Sequence, residues 1–582
     1  MDPDNLLQEF PPVSTQSWEG AIARDLKGAD YARKLIWQSE EGLAVRPYYR
    51  SEDIRGLELP DAVPGTFSYV RNSRFTADWR IREEIDAADP ERANHAAQSA
   101  VAAGADEIAF NNVAIRSASD LGMLQVNLQA IPVHFQNASE ALIQLLIQRL
   151  NEWHDAAQVS TGWNPLTNLD FAAQVLLAAP PALVPFTIHG SEFEESGASA
   201  VEEVGFTLAA AVDFLAEMQS RRLDVGRAAS SIAFSFSIGS NYLFQIAKFR
   251  AFRMLWARAV ESFGGASESA RARVHARTSP WNKTIYDPHV NILRATTEAM
   301  SAILGGADSI TVAPFDECYK TADGASRRLA RNTQIILKRE ALLSRVADPG
   351  AGSYCLEVIT DFIAREGWKS MQRIEMAGGY RKVEADGKIS RTLEQSLAAR
   401  EKAVASRRRV FTGTNQYADP SEKALDRIDP VCLSRHQRGP QSFEELRLRT
   451  ERHTANTGKL PRVLLAEIGD VKVRSARSHF AANFFACAGF DIVTQRFSNA
   501  HEIAGNDADL LVLCSSDQEY LELATKVTTD MKALGRTTPV IVAGNPDSAE
   551  QMRAAGVEDF IQIRSNPIEV LTSWQQRLGI KG

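Results

Sequence analysis

The sequence predicts an α/β protein in which a (β/α)8 barrel of the TIM type is followed by a flavodoxin-like, doubly wound domain. Its 582 residues are too many for one ordinary hydrophobic core. From Gly65 to about residue 380, short β-prone runs alternate with longer helical runs, which is the pattern of a parallel barrel. A second series of strands and helices begins at Pro461, with five strands in about 120 residues, which is the pattern of an open doubly wound sheet.

The composition excludes several classes of function. A formal charge of -8 and a pI near 5.8 provide no basic surface for nucleic acid or for an anionic membrane. The five cysteines are odd in number, widely spaced and mostly set in apolar runs, so we expect buried thiols in a reducing compartment and no metal site. The amino terminus lacks the regions of a signal peptide, and the most apolar stretch, 171–186, is broken by prolines. We therefore expect a cytoplasmic protein without a membrane span.

Residues 1–60 form a predicted N-terminal arm, which is a helix followed by an extended segment. The run that follows Ser17 is amphipathic, and residues 43–49 are β-prone. The arm is too short to build its own core, yet it carries Trp18 and Trp37. We therefore expect it to lie on the main body or on a partner.

Residues 61–395 form the predicted barrel. Two of its joints, Gly104 to Ile108 and Gly306 to Ile310, place a glycine where a helix ends and a β-prone run immediately after it. The predicted strands are 107–110, 124–128, 131–135, 183–188, 231–237, 271–276 and 309–314, and the predicted helices include 140–153, 201–222 and 292–304.

One long helix, predicted after Gly239, is apolar around most of its circumference. We expect it to pack on a sheet with one stripe and on another helix or subunit with the next. Ser240 or Asn241 is expected to cap it with a side-chain oxygen. Its scattered basic residues are expected to be ion-pair partners at the surface or at an interface; they are Lys248, Arg250, Arg253 and Arg258.

Residues 396–459 are predicted to be a helical spacer and linker, because charge rises and hydrophobic periodicity is then lost. Residues 460–582 are predicted to form the flavodoxin-like domain, with a strand at 461–467, a helix starting near Ser475, and later strands at 491–495, 510–514, 540–543 and 560–563. Ligands of such a domain bind beyond the carboxyl ends of the strands. Any site must therefore include the loops after Glu467, Cys514 and Ala543.

Four segments of the barrel resemble those of the acyl-CoA mutases that use adenosylcobalamin. They are FSIGSNYLFQIAKFRAFRMLW (236–256), HARTSPW (275–281), RNTQ (331–334) and DPGAGSY (348–354). The resemblance covers nearly the whole chain. It implies that the barrel buries an acyl-CoA and that the last domain, of the cobalamin-binding type, clamps the corrin against the barrel mouth. A histidine in a D-x-H-x-x-G loop would replace the lower ligand of the cofactor.

The last domain departs from this pattern. If Asp470 is the aspartate of the motif, Lys472 stands at the ligand position and Ser475 at the glycine. A lysine ammonium offers only donors near neutral pH and is an unsuitable cobalt ligand. No histidine lies between His453 and His479, so no shifted register supplies one.

The barrel departs from it as well. Ser191 and Glu192 stand where the family carries a tyrosine–histidine pair beside the substrate, and Glu84 stands where it carries another tyrosine. Arg277 replaces an expected glutamine, and residues 162–169 lack the Gln-Asn-Asp segment of the family. No catalytic, cofactor-binding or metal-binding set is intact.

An intact scaffold with altered sites is typical of one branch of this family, the small, non-catalytic subunit of heterodimeric methylmalonyl-CoA mutase. The resemblance then implies a larger catalytic subunit that holds adenosylcobalamin and acyl-CoA and interconverts succinyl-CoA and (R)-methylmalonyl-CoA. No cofactor is expected on this chain alone, and His275, Arg277 and Thr278 are relics of a substrate site. Two similar chains that pair about a pseudo-twofold axis present nearly the same patch, so one chain can lose its site and keep its interface.

Two rival functions stay open at this point. One is an active mutase, of the methylmalonyl- or isobutyryl-CoA type, that binds cobalamin without a protein histidine. The other treats the last domain as a signalling receiver, although Cys514 and Ser515 stand where a phosphoacceptor aspartate is needed.

Several site residues also have plainer structural interpretations. The Asp470 loop is then a solvated helix start, His275 and His189 are packed, hydrogen-bonded residues, and Glu192, Glu194 and Glu195 form a solvated acidic face.

Overall fold

Eight parallel strands form a barrel in the computed structural model, which describes residues 13–57, 62–124, 131–152 and 158–581. The strands are β1 Arg80–Ile85, β2 Glu107–Phe110, β3 Val133–Phe135, β4 Val159–Thr161, β5 in two segments (Leu183–Val184 and Phe186–His189), β6 Ile232–Ile238, β7 Arg273–Thr278 and β8 Ser309–Thr311.

The barrel closes through strand β5. Strands β1 to β4 pair in parallel in chain order, and so do strands β6 to β8. Strand β8 then pairs with β1, with Ser309 opposite Arg80. Pro185 has no N–H to give to a ladder, and it divides β5 into a first segment on β4 and a second segment on β6. Thr187 keeps the second segment near β4, since its N–H donates to the Trp163 carbonyl at 3.0 Å. The (β/α)8 fold predicted from the sequence is confirmed.

Helices surround the barrel, and the arm and linker add shorter elements. The α-helices of this region are Thr15–Asp25, Tyr31–Leu35, Pro90–Ala102, Ala118–Met123, Glu140–Glu152, Leu169–Ala178, Gly190–Glu195, Ala200–Ser220, Val225–Ser230, Tyr242–Ser262, Val290–Gly305, Gly324–Arg339, Tyr354–Met376, Tyr380–Ala385, Lys388–Ala405, Pro430–Leu433 and Gln441–Thr457. A short antiparallel hairpin, Trp37–Gln38 with Ala44–Val45, lies in the arm.

The structure corrects several sequence-based boundaries. Strands β1 and β4 were not predicted, because their inward-facing residues are polar and no apolar run marks them. The predicted strand 124–128 and the end of the predicted helix 140–153 lie largely outside the described residues. The domain boundaries predicted at residues 60, 395 and 459 stay predictions.

The helix Tyr242–Ser262 is covered on more than one side, as its apolar circumference predicted. Phe252 and Trp256 pack edge-on against Phe234 of β6, with ring centroids 4.7 and 4.9 Å apart. The helix Tyr354–Met376 packs against another side of it. The predicted cap is wrong, since Asn241 precedes the helix without a side-chain hydrogen bond to it.

Three of the four basic residues on this helix are buried, which contradicts their predicted surface position. Lys248 donates to Glu203 Oε2 at 2.6 Å, and Arg250 donates to both carboxylate oxygens of Glu357 at 2.9 and 3.0 Å. Arg253 donates to backbone carbonyls instead. Burial is possible because each charge has a hydrogen-bonded partner in the interior. Of the four, only Arg258 is exposed.

The last domain is a doubly wound sheet of five parallel strands. They are β9 Arg462–Glu467, β10 Asp491–Arg496, β11 Leu510–Cys514, β12 Val540–Ala543 and β13 Asp559–Ile561, in the spatial order β10-β9-β11-β12-β13. Its helices are Val471–Ala486, Ala500–Ala504, Tyr520–Ala533, Ala549–Ala555 and Pro567–Arg577. Separate hydrophobic clusters cover its two faces. The predicted flavodoxin-like, doubly wound fold is confirmed.

The helix Gln441–Thr457 is bonded to both parts of the molecule. Its buried Glu444 accepts the Ile285 N–H at 2.8 Å, on the loop that follows β7. On the other side, Gln575 of the last domain donates to the Leu446 carbonyl at 2.6 Å. The segment predicted as a linker thus contains a helix that holds the barrel loop and the last domain together.

Candidate functional site: the barrel mouth and the last-domain crevice

The interior of the barrel is lined by polar side chains that bond to one another. Arg82 on β1 donates twice to Glu107 on β2, at 3.1 and 2.6 Å. His134 on β3 bonds through Nδ1 to Ser160 Oγ at 2.9 Å. TIM barrels are usually filled by branched apolar residues. In this chain the large hydrophobic clusters lie between the strands and the outer helices, and the cavity at the amino ends of the strands holds only about 30 Å3.

At the carboxyl ends of the strands, Arg277 connects two acids from other parts of the barrel. Its Nε and Nη2 donate to the two oxygens of Glu84 on β1, at 3.0 and 3.2 Å. Nη2 also donates to Glu317, on the loop after β8, at 2.5 Å. Two of the predicted site residues, Glu84 and Arg277, are therefore brought together as an ion pair, and Glu317 is the third member that the sequence did not indicate.

The contacts within this ion triad favour the charged forms of Glu84 and Arg277. Burial acts to raise the pKa of the Glu84 carboxyl, but the charge and hydrogen bonds of Arg277 outweigh burial and lower that pKa. Burial acts to lower the pKa of Arg277, and Glu317 and Glu84 together hold it well above its usual value. The mouth therefore contains a guanidinium that is held between the carboxyl groups of Glu84 and Glu317.

His275, which matches a family histidine, is part of the polar lining. Its Nδ1 bonds to Ser309 Oγ on β8 at 2.9 Å. Burial, and then the charge of Arg82, lowers the pKa of His275 well below its usual value, so the imidazole is neutral at neutral pH. Thr278 is buried, and its hydroxyl accepts the Ala313 N–H at 2.9 Å. The contacts of both residues are those of packed, hydrogen-bonded barrel residues.

Ser191 and Glu192 lie on the first turn of the helix Gly190–Glu195. Ser191 Oγ is 3.0 Å from Ser235 Oγ of β6, while Glu192 is exposed. Glu194 was expected on a solvated acidic face, but it is buried, because Arg400 Nη2 and Ser279 Oγ donate to it at 3.0 and 2.9 Å. His189 is bonded through Nε2 to the Gly162 carbonyl at 2.6 Å.

The altered motif of the last domain is folded as the start of a helix. The helix begins at Val471 and not near Ser475, because the Asp470 carboxylate accepts the N–H groups of Lys472 and Val473 at 3.0 Å each. Lys472 is exposed on the first turn, and Ser475 lies one turn farther along. Asp470 thus acts as a helix cap in this chain.

The crevice of the last domain lies between the loops that follow β9 and β11. The carboxylate of the exposed Glu519, which the sequence did not indicate, bonds to both loops. Glu519 Oε2 accepts the hydroxyls of Ser515 and Ser516 at 2.8 and 2.7 Å, and the Ser516 N–H at 3.3 Å. Beside it, Arg477 donates to both oxygens of Asp517 at 3.0 and 3.2 Å. An acid three and four residues after a pair of serines is the local pattern that could have indicated this contact.

Two kinds of feature are absent from the residues that the structure describes. In those ranges no helix is both long enough and apolar enough to cross a membrane. The same ranges contain no group of three or more His, Cys, Asp or Glu side chains placed to hold a metal ion.

Comparison with known proteins gives consistent matches. A family model described as methylmalonyl-CoA mutase matches residues 169–465. The methylmalonyl-CoA mutase small subunit of Porphyromonas gingivalis is 35% identical, over 99% of this chain and 99% of that protein. The small subunit of Streptomyces virginiae is 32% identical over 99% and 98%. The methylmalonyl-CoA mutase of Escherichia coli is 26% identical over 91% and 94%. This chain, with its closed barrel and doubly wound last domain, belongs to the methylmalonyl-CoA mutase family of isomerases.

Proposed function

We propose that this chain is the non-catalytic small subunit of a heterodimeric methylmalonyl-CoA mutase. A larger paralogue would hold adenosylcobalamin and the acyl-CoA and would interconvert succinyl-CoA and (R)-methylmalonyl-CoA. This chain would supply the pseudosymmetric half of the interface. On the sequence argument given above, we also propose a cytoplasmic location for the complex.

The observation that carries the proposal is the ion triad of Glu84, Arg277 and Glu317. An acyl group entering the mouth would have to displace the Arg277 guanidinium from two carboxylates at 2.5 to 3.2 Å. Separating such a pair in a partly buried site is costly, because each charge would lose its partner. A tyrosine at position 84 and a glutamine at position 277, as the resemblance expects, would form no such ion pair.

The rest of the barrel supports the same conclusion. The cavity at the mouth, between β1, β8 and the helix Gly324–Arg339, holds about 220 Å3. Sites for drug-sized ligands usually have about 300–1,000 Å3, and an acyl-CoA is larger than most such ligands. The bonded pairs Arg82–Glu107 and His275–Ser309 fill the space below it. We therefore assign the acyl-CoA to the partner.

The methylmalonyl-CoA mutase family is cobalamin-dependent, and the residues of this last domain do not fit the cofactor. Lys472 is exposed and presents a cation where a neutral nitrogen ligand is needed. Asp470 is already used as a helix cap, and the Glu519 carboxylate spans the crevice. We therefore assign the cofactor to the partner and derive no chemical step on this chain.

The test is adenosylcobalamin binding, followed by visible absorption. The purified chain alone is expected to cause no spectral change, and the chain co-expressed with its larger paralogue is expected to bind one cofactor per heterodimer. Titration with methylmalonyl-CoA should likewise detect no binding to the chain alone. A cofactor spectrum or acyl-CoA turnover on the lone chain would refute the proposal and establish an active mutase with atypical cofactor binding.

A further inference from the structure

The cavity at the barrel mouth is lined by cationic side chains from several parts of the chain. It lies between the carboxyl ends of β1 and β8 and the helix Gly324–Arg339, and it holds about 220 Å3. The whole chain has a net charge of -8, so a group of cations around one cavity is a local feature. These cations are Arg82, Lys320, Arg327, Arg331 and Arg435.

Most of the acids in the same wall already have a cationic partner. Glu83 accepts a hydrogen bond from Arg331 Nη1 at 2.6 Å, while Glu84 and Glu317 belong to the ion triad. Asp86 is exposed and accepts a hydrogen bond from an asparagine amide at 2.7 Å. The wall therefore has little free negative charge to repel an anion in the cavity.

Two arginines of the wall are not neutralised in this way. The half-buried Arg327 and the exposed Arg435 make no ion pair or side-chain hydrogen bond with any residue that the structure describes. Lys320 differs from them, because it pairs with Asp316 and Asp323 at 3.1 and 3.3 Å. The donors of a planar guanidinium match the oxygens of a carboxylate or a phosphate. The two free guanidinium groups thus provide positive charge for such a ligand.

Two buried polar atoms of the wall also lack a partner. Thr311 on β8 is 3% exposed, and its hydroxyl has no hydrogen bond to any part of the chain that the structure describes. The side chain of Arg331 is 10% exposed, and its Nε has no hydrogen-bond partner in the same ranges. A buried polar group without a partner is costly, so such groups are ordinarily bonded in folded proteins. Both groups can donate to an oxygen atom in the cavity that they line.

From this geometry we infer that the cavity is a binding site for a small oxyanion, whose phosphate or carboxylate group is bonded by Arg327, Arg331 Nε, Arg435 and the Thr311 hydroxyl. At about 220 Å3 the cavity is smaller than the usual site of a drug-sized ligand, so it admits an ion or a small organic acid and excludes an acyl-CoA. The inference goes beyond the proposed function, because it gives this chain a ligand of its own.

The test is calorimetric titration of the full chain with sodium phosphate and, separately, with sodium acetate, at neutral pH. Sodium chloride keeps the ionic strength equal in every titration. The variant Arg327→Gln/Arg435→Gln removes the two unpaired cations of the cavity. Its matched control is Arg328→Gln/Arg339→Gln, which removes the same charge from two exposed arginines of the helix Gly324–Arg339 that lie outside the lining.

Thr311→Val is a second variant, which keeps the charge and nearly the shape of the side chain. Without phosphate, its thermal midpoint should equal or exceed that of the unsubstituted chain, because an unbonded buried hydroxyl is removed. Phosphate should raise the midpoint of the unsubstituted chain, since it binds the folded state, and should raise that of Thr311→Val less. A hydroxyl with only a structural role would not alter the effect of phosphate.

We expect phosphate or acetate to bind the unsubstituted chain with a Kd of about 1 mM, which corresponds to two or three charge-assisted hydrogen bonds. The Kd should rise by about tenfold or more in Arg327→Gln/Arg435→Gln. It should stay unchanged in Arg328→Gln/Arg339→Gln. The anion that binds more tightly identifies the ligand group as a phosphate or a carboxylate.

Two results would overturn the inference. One is that neither phosphate nor acetate binds the unsubstituted chain, and the other is that Arg327→Gln/Arg435→Gln binds them no more weakly than its matched control does. If Arg327→Gln/Arg435→Gln does not fold, Thr311→Val decides, and an unchanged phosphate affinity in that variant overturns the inference. None of these results bears on the proposed function, which fails only if the unsubstituted chain itself binds adenosylcobalamin or acyl-CoA.

Discussion

Replacing Arg277 with glutamine removes the centre of the ion triad at the barrel mouth. Arg277→Gln leaves Glu84 and Glu317 as two carboxylates that face the space of the former guanidinium. Both acids are about one quarter exposed, so water reaches them only in part. We expect the variant to fold with a lower free energy of unfolding than the unsubstituted chain.

The size of the loss follows from the distances. At about 3 Å and an effective dielectric constant of about 20, each attraction contributes roughly 5 kcal/mol. Desolvation of the three charges offsets much of this, by several kcal/mol for each ion. Breaking a buried pair typically costs about 3–5 kcal/mol, and the partial exposure of this one reduces the expected loss to about 2–4 kcal/mol.

The assay is urea unfolding at several pH values. Arg277 holds the pKa of Glu84 below its ordinary value, so the pair stabilises the unsubstituted chain at neutral pH, and this stability is lost as the pH falls below about 4.5. In Arg277→Gln, burial instead raises the pKa of that carboxyl, and protonation stabilises the variant. The difference between the two chains should therefore be largest near pH 8 and smaller near pH 5.

Two further variants make the reasoning refutable. Arg221→Gln breaks a solvent-exposed set of ion pairs with Glu217 and Asp170 and should lower the free energy of unfolding much less than Arg277→Gln does. The double variant Glu84→Gln/Arg277→Gln should be less destabilised than Arg277→Gln alone, because only one of the two facing carboxyl groups, that of Glu317, is left. Either of two results would show that the triad does not stabilise the barrel. One is an equal free energy of unfolding for Arg277→Gln and Arg221→Gln, and the other is a decrease in Arg277→Gln that does not depend on pH.

Three other predictions concern the last domain and the barrel interior. Lys472→His alone should not create adenosylcobalamin binding, because the glycine of the motif and the barrel-side contacts are altered too; tight uptake, seen by visible absorption, would contradict this. Arg250→Ala should lower the free energy of unfolding in urea by about 3–5 kcal/mol, since the buried Glu357 loses the guanidinium that donates to both its oxygens and keeps only Arg71, 3.6 Å away, and the Gly352 N–H. A loss below about 1 kcal/mol would show that the pair is not needed. Gly469→Ala should lower the thermal midpoint more in the unsubstituted chain than in Glu519→Ala, where space is free for the new Cβ, and equal shifts in both backgrounds would argue against the close contact.

Apolar runs made part of the fold predictable. The predicted bounds of the strands Leu510–Cys514 and Val540–Ala543 are correct to the residue, because a short continuous apolar run between turn residues is typical of a strand buried on both faces. The long helix after Gly239 was predictable for a related reason, since an apolar circumference requires cover on several sides. Strand β1 is not predictable in this way, because the charged residues Arg82 and Glu84 give its sequence the pattern of a solvated segment.

The geometry of the candidate site is not predictable from the sequence, because it depends on contacts between residues that lie far apart in the chain. The sequence marks Glu84 and Arg277 as departures from a family, but nothing in it indicates that they form an ion pair from β1 and β7, the two neighbours of β8. Nothing in the sequence distinguishes Glu317, because an acid on a loop after a strand is ordinarily solvated. The burial of Arg250 and Arg253 is not predictable from local pattern, because Glu357 and Gly305, to which they donate, lie more than 50 residues away in the chain.

The polar lining of the barrel has a consequence for how a pair of related chains can diverge. In this chain the apolar material that holds the strands and helices together lies outside the strands, while the inside carries hydrogen-bonded polar groups. Residues of the lining can therefore be exchanged, in matched pairs, without disturbing the layer that specifies the architecture. After duplication of a gene for such a barrel, one copy can therefore accumulate substitutions inside the barrel, such as an acid in place of a tyrosine and an arginine in place of a glutamine. Its outer surface can stay unchanged, so the other copy still binds it.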